Sequence, residues 1–258
     1  MVEPVIPVCM RTKQFQELKA TASIRPEVRK HVITTQPIYA RSSSLWLIAP
    51  SPTHRFNESI QTLITTTIPS NFPTLKPPSF TPHITLTSSI DPTKTYKDNP
   101  QAWLSALPIT TNLRKERNEI TITLETLDPG TDFFKKLTIR ANKKDANLLE
   151  LAASCRAAAI PTLTSEEAQQ WAENEYSPHL SLMYADIPIA EVEAKMGDIE
   201  TQLGFELGSL FDCCGGTLCM GAKIVLVDTG DLHDVAGWKV LAEREVEAVS
   251  WRMGRGLI

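Results

Sequence analysis

Two short runs carry residue types that suit acid–base and phosphate chemistry, and they are near-copies of each other. Thr81-Pro82-His83-Ile84-Thr85-Leu86-Thr87 and Ser177-Pro178-His179-Leu180-Ser181-Leu182-Met183-Tyr184 both read Pro, His, an apolar residue, a hydroxyl residue and Leu. Each run is strand-like, and side chains at i and i+2 of a strand leave from the same face. His83 with Thr85, and His179 with Ser181, therefore each present an imidazole beside a hydroxyl.

An imidazole titrates near neutrality, so of two such groups one can be neutral while the other is protonated. Opening a ribose 2′,3′-cyclic phosphate with water needs that pair. The water loses a proton as it attacks phosphorus, and the departing ribose oxygen gains one. Attack and departure are roughly in line, so base and acid belong on opposite sides of the phosphate. Thr85 and Ser181 would hold the non-bridging oxygens and their developing charge. The scheme requires no metal and no cofactor. A single Pro-His in a strand is ordinarily a packed or surface histidine. Two complete copies in matching places of the chain outweigh that reading.

The surrounding elements repeat as well. Ser44–Ala49 reads as a buried strand ended by Pro50. Phe56, Ile60, Leu63, Ile64 and Ile68 then recur at helical spacing up to Pro69, and the first His strand follows at 80–88. The second half starts with the hairpin 119–141. In it Glu119–Leu127 alternates, Asp128-Pro129-Gly130 turns, and Phe133–Ala141 returns. A helix capped by Asp145 runs through Ala159. A capping box at Thr164-Ser165-Glu166-Glu167 starts a short helix to about Glu173, and the second His strand spans 176–184. Strand, helix and Pro-His strand thus occur at 44–88 and again at 131–184, with one extra helix in the second copy. The expected fold is α+β and bilobal. Two pseudo-two-fold-related lobes of antiparallel sheet carry helices outside, and the His strands lie side by side in the cleft between them. Beyond it, Asp91–Asn99 reads as loop and Asn99-Pro100 as a helix start. Pro188 opens a helix with Val192, Met196, Ile199 and Leu203 on one face. Gly215–Val227 and Trp238–Val246 read as strands.

The 258 residues divide into an extension at 1–42, a core at 43–248 and a tail at 249–258. A short helix near Thr12–Thr21 is expected within the extension. The formal net charge of −4 argues against a protein that grips long nucleic acid through phosphates, and favours a small or chain-end substrate. Basic clusters at Arg114–Arg117 and at Lys135, Lys136, Arg140, Lys143 and Lys144 read as solvated charge. Cys9, Cys155, Cys213, Cys214 and Cys219 are odd in number and form no Cys-x-x-Cys pattern, so reduced thiols are expected. Cys213, Cys214, Cys219 and His233 do not have zinc spacing. His31, His54 and His233 read as solvated. No run approaches a membrane span or a signal-peptide core, so a soluble, cytoplasmic protein is expected by default. A monomer is expected as well.

The two motifs resemble those of the 2H phosphoesterase superfamily, most closely its plant and fungal cyclic nucleotide phosphodiesterases. Ser-Leu-Trp-Leu-Ile-Ala-Pro at 44–50 is similar to their first strand. Phe80–Thr85 is similar to the first motif, and Tyr176–Ala185 to the second, including a Tyr three residues after the Ser. The resemblance covers about residues 43–248. It implies that His83 and His179 are the catalytic pair and that Thr85 and Ser181 bind the cyclic phosphate. It puts Tyr184 at the substrate site, which a regular strand would not do, so a strand end or bend is needed there. It makes Trp46 a residue that stacks on or borders the nucleoside, although a core-filling role fits that aromatic equally well. It implies a hydrolase that converts 2′,3′-cyclic phosphates to 2′-phosphates and opens ADP-ribose 1″,2″-cyclic phosphate, a by-product of tRNA splicing. Fungal members are associated with the Golgi. Two other readings stand beside it: action on RNA ends, by trimming or 2′–5′ joining, and a nucleotide-binding module without turnover.

Overall fold

The structure is a computed structural model that describes residues 42–109, 119–214, 216–232, 234–254 and 257, without the side chains of 209–214. The expected helix near Thr12–Thr21, the Arg114–Arg117 cluster, Cys9, His31, Cys213, Cys214 and His233 lie outside what is described.

Among the described residues seven strands form one sheet: β1 (Ser43–Ile48), β2 (Ile84–Ile90), β3 (Ile120–Pro129), β4 (Leu137–Ala141), β5 (His179–Met183), β6 (Thr217–Asp228) and β7 (Lys239–Met253). Seven α-helices accompany them among the described residues: α1 (Arg55–Thr62), α2 (Pro92–Thr95), α3 (Pro100–Ala106), α4 (Ala146–Ala159), α5 (Ser165–Asn174), α6 (Ile189–Glu193) and α7 (Met196–Cys214). The class is α+β, as expected. The strand order is β1-β2-β5-β4-β3-β7-β6, and β6 returns to β1, so the sheet is closed.

The expected halves are visible in the pairing. One is β2-β1-β6-β7 and the other is β5-β4-β3. They meet at two seams. At the first, β2 and β5 run antiparallel and share one register pair, Ile84 with Leu180. At the second, β3 and β7 run parallel, from Ile120 with Val249 to Leu124 with Met253. The second seam is unexpected, because the strand read as Trp238–Val246 continues to Met253 and takes in residues that show no sequence pattern.

Alternation sorts the side chains. Leu45, Leu47, Ile84, Leu86, Ile139, Leu180, Leu182, Ile224 and Leu226 join Phe56, Ile60 and Leu63 of the first helical segment, Leu148 and Leu151 of α4, and Ile199, Leu203 and Leu207 of α7 in one buried core. The other face carries Trp46, Val225 and Val227, together with the positions between the core residues of β2, β4 and β5.

The caps form as read. Asp145 accepts from Leu148 N and also from Thr121 N of β3. Thr164 and Glu167 form the capping box, and Asn99 accepts from Ala102 N. His54, read as solvated, caps α1 by accepting from Phe56 N. The first helical segment tightens and loosens along its length: α1 passes into a π turn at Leu63–Thr67 and a 3-10 turn at Pro69–Asn71. Pro92–Thr95, read as loop, is a short helix capped by Asp91.

The strand read as Phe133–Ala141 starts late. Phe133–Lys135 is a 3-10 turn, and β4 begins at Leu137. Gly130 N donates to Lys136 O, and the Lys135 carbonyl lies so close to Gly130 that a Cβ there would collide with it. Lys136, read as solvated, is buried, and its ammonium donates to Thr131 O and Ile187 O at 2.9 and 2.7 Å.

Candidate active site

Proline sets the histidines. The residue before a proline is held extended, and Pro82 and Pro178 carry no N–H. In both motifs the carbonyl two residues before the His faces its ring. His83 Nδ1–H donates to Thr81 O at 2.6 Å, and His179 Nδ1–H donates to Ser177 O at 2.8 Å. A carbonyl only accepts, so Nδ1 keeps its proton in both rings. Nε2 is left as the working atom, a base when bare and an acid when protonated.

Register does the rest. The antiparallel pair Ile84–Leu180 puts His83 across from Ser181 and Thr85 across from His179. The two imidazoles take one diagonal of this quartet and the two hydroxyls the other. Diagonal neighbours across such a pair are about 7–8 Å apart, which leaves room for a phosphate. The row continues outward on both sides: Trp46 is the partner of Thr85 on β1, Arg140 of His179 and Thr138 of Ser181 on β4.

The two halves of the quartet are not equivalent. His83 is buried, and its ring lies flat on Trp46, with centroids 3.7 Å apart and planes within 8°. Burial pulls its pKa from 6.5 down to about 4, the Thr81 carbonyl opposes this, and the charge of His179 adds to it. His179 is half-buried. Its pKa is lowered by burial and by Lys135, against the raising effects of the Ser177 carbonyl and Asp128.

All six residues singled out in the sequence line one cavity of about 410 Å³: Trp46, His83, Thr85, His179, Ser181 and Tyr184. Tyr184 reaches it because β5 ends at Met183, so the alternation that would turn it away no longer applies. Its ring stacks on Phe80 of the first motif run at 3.8 Å and 12°, which ties the two Pro-His runs together where the backbone shares one pair. The Tyr184 hydroxyl lies in hydrogen-bonding range of Ser181, and burial pushes its pKa up. Ser181 Oγ donates to Phe134 O at 3.0 Å. Trp46 packs with Val225 and Val227 and also lines the cavity.

Phe134, Lys135, Arg156, Trp171, Glu175 and Trp238 also line the cavity, and the motifs do not reveal them. Lys135 is the one with a sequence signal, as part of a basic cluster, but only the 3-10 turn aims it at the site. No group of three or more His, Cys, Asp or Glu among the described residues is arranged to hold a metal ion.

A family model described as cyclic phosphodiesterase-like protein matches residues 41–246. A 2′,3′-cyclic-nucleotide 3′-phosphodiesterase of Phaeosphaeria nodorum is 36% identical over 206 residues, covering 79% of this chain and 98% of that protein. The protein of the same name from Neurospora crassa is 30% identical over 217 residues, with 78% and 98% covered. That of Yarrowia lipolytica is 28% identical over 233 residues, with 79% and 99% covered.

Proposed function

The chain belongs to the cyclic phosphodiesterase-like family, and from that premise we propose that it hydrolyses nucleoside 2′,3′-cyclic phosphates to nucleoside 2′-phosphates by two-histidine acid–base catalysis. The observation that carries the reading is the crossed quartet, in which each imidazole faces the other motif's hydroxyl across the β2–β5 seam. The names of the relatives supply the bond that breaks, which is the one to the 3′ oxygen.

The steps balance as follows. The cyclic phosphate lies between the imidazoles, its non-bridging oxygens on Thr85 and Ser181. Ser181 turns its proton from the Phe134 carbonyl to the phosphate when substrate arrives. His83, which burial keeps neutral, takes a proton from water at Nε2. The oxygen of that water bonds to phosphorus, the bond from phosphorus to the 3′ oxygen breaks, and protonated His179 delivers its Nε2 proton to that oxygen. Lys135 adds positive charge beside His179 and the phosphate. Trp46 holds the His83 ring flat and excludes water behind it. Tyr184 supports Ser181.

ADP-ribose 1″,2″-cyclic phosphate presents the same five-membered ring and is proposed as a second substrate, which would connect the chain to the by-products of tRNA splicing. The core carries its own groups for every proton, so activity is expected to survive EDTA. Incubation with 2′,3′-cyclic AMP and EDTA should yield adenosine 2′-phosphate, and His83→Ala and His179→Ala should each lose at least about a hundredfold in kcat. A 3′-phosphate product, or His variants that turn over like the parent, would overturn the proposal.

A further inference from the structure

The cavity does not stop at the histidines. From Thr85 it follows β2 past Thr87 to a wall formed by Arg156 of α4, with Trp171 of α5 and Glu175 just beyond it. Arg156 is unusual there. Its central guanidinium carbon lies 4.1 Å from the Trp171 ring centroid, so one face is covered. Its Nη1 reaches Thr87 Oγ1 only at 3.5 Å. Its Nε is buried and has no hydrogen-bond partner. No carboxylate among the described residues is within ion-pairing distance of it, and Glu175 acts on it only as a more distant charge.

Buried donors without acceptors are costly. A planar fork of donors, pre-oriented by stacking on an aromatic ring, matches a pair of phosphate oxygens. Two residues of strand span at most about 7 Å, and a register irregularity falls between Thr85 and Thr87, so Thr87 with Arg156 beside it lies up to one such step along β2 from Thr85. That step is comparable to the span of one ribose. A nucleobase fits less well, because Arg156 already occupies the Trp171 face that would stack a base.

We propose that Arg156 forms a second phosphate subsite, which takes a phosphoryl group on the 5′ carbon of the same ribose whose cyclic phosphate lies between His83 and His179. The proposal rests on the cyclic phosphodiesterase reading. Among adenosine substrates the phosphoryl group has two possible sources, a terminal 5′-phosphate or the internucleotide linkage of an RNA end; ADP-ribose 1″,2″-cyclic phosphate carries its pyrophosphate at the equivalent 5″ position.

Three substrates of one base separate these cases: 2′,3′-cyclic AMP, its 5′-phosphorylated form, and a dinucleotide ending in adenosine 2′,3′-cyclic phosphate. The parent protein should favour one or both of the latter in kcat/KM by about tenfold or more, the scale of a charge-assisted hydrogen bond. Preference for the 5′-phosphorylated monomer alone assigns a terminal phosphate, and preference for the dinucleotide assigns a chain end. Arg156→Gln should abolish the preference, and Arg156→Lys should keep part of it. Independently of any variant, adenosine 2′,5′-bisphosphate should inhibit the parent about tenfold more tightly than adenosine 2′-phosphate. Equal handling of all three substrates by the parent overturns the subsite alone. So does a loss in Arg156→Gln that is uniform across the three substrates. Failure of the parent to open any of them overturns the hydrolase reading on which the subsite depends.

Discussion

At the scale of single residues, the two motifs are chemically alike but electrostatically unequal. Both rings are fixed by the same Pro-dependent carbonyl contact, so both offer Nε2. They differ in cover. Trp46 lies on His83, while His179 sits among Lys135, Asp128 and solvent. A base must be neutral to act and an acid must carry its proton. With His83 as base, activity falls as pH drops through about 4. With His179 as acid, activity falls as pH rises through a value below the ordinary 6.5, the direction in which its burial shifts it. A profile of kcat/KM against pH, which reports the free protein, should therefore peak on the acid side of neutrality. A profile still rising above pH 7 would break this assignment of roles. The pair also acts as a unit. The double variant His83→Ala/His179→Ala should lose little more than either single variant, because either loss already stops the proton traffic. Single-turnover rates that multiply would mean that the two histidines do not share one phosphate.

At the scale of elements, the site was legible where local rules decide structure. Proline before histidine, alternation in β1 and β2, and the Asp145 and Thr164 caps all act over a few residues, and they located the quartet, α4 and α5. What lay outside that reach depends on contacts distant in sequence. The strand read at Phe133–Ala141 has a strand's apolar content, but the Gly130 turn draws Phe133–Lys135 into a 3-10 turn. That turn aims Lys135 at His179 and brings the Phe134 carbonyl to Ser181. Arg156 gave no signal either, since a basic residue in the last turn of a helix ordinarily faces water and complements the helix dipole. The glycine makes this testable. Gly130→Ala forces its new Cβ against the Lys135 carbonyl, so the turn must shift. Stability should fall by about 1–3 kcal/mol, the scale of overpacking, and kcat should fall while secondary structure is retained. Urea unfolding with parallel kinetics reads both. A variant with unchanged midpoint and kcat would show that the turn does not govern the site.

At the scale of the whole molecule, closure of the sheet links a catalytic seam to a structural one. The β2–β5 seam has one register pair and opens into the cavity. A seam so thin needs the halves to be held together elsewhere, and the parallel β3–β7 ladder does this with five register pairs. Its last residues are well anchored. Val249 and Trp251 are buried, the Trp251 indole N–H donates to Gly221 O, and its ring meets Phe56 of α1. Sequence gave little warning of this, because a parallel partner more than a hundred residues away leaves no local period. Removing residues 248–258 would strip that partner from β3 and expose a strand edge of alternating isoleucines, Ile120 and Ile122 among them. An open edge of that kind recruits other chains. The shortened chain should therefore associate on size-exclusion chromatography and lose its cooperative thermal transition. Trp251→Ala, which keeps the ladder but empties a large core position, should cost about 3–5 kcal/mol and remain monodisperse. Removal of 248–258 without change in either measurement would mean that the β2–β5 seam holds the halves unaided, and that the parallel ladder is not what keeps His83 and His179 in register.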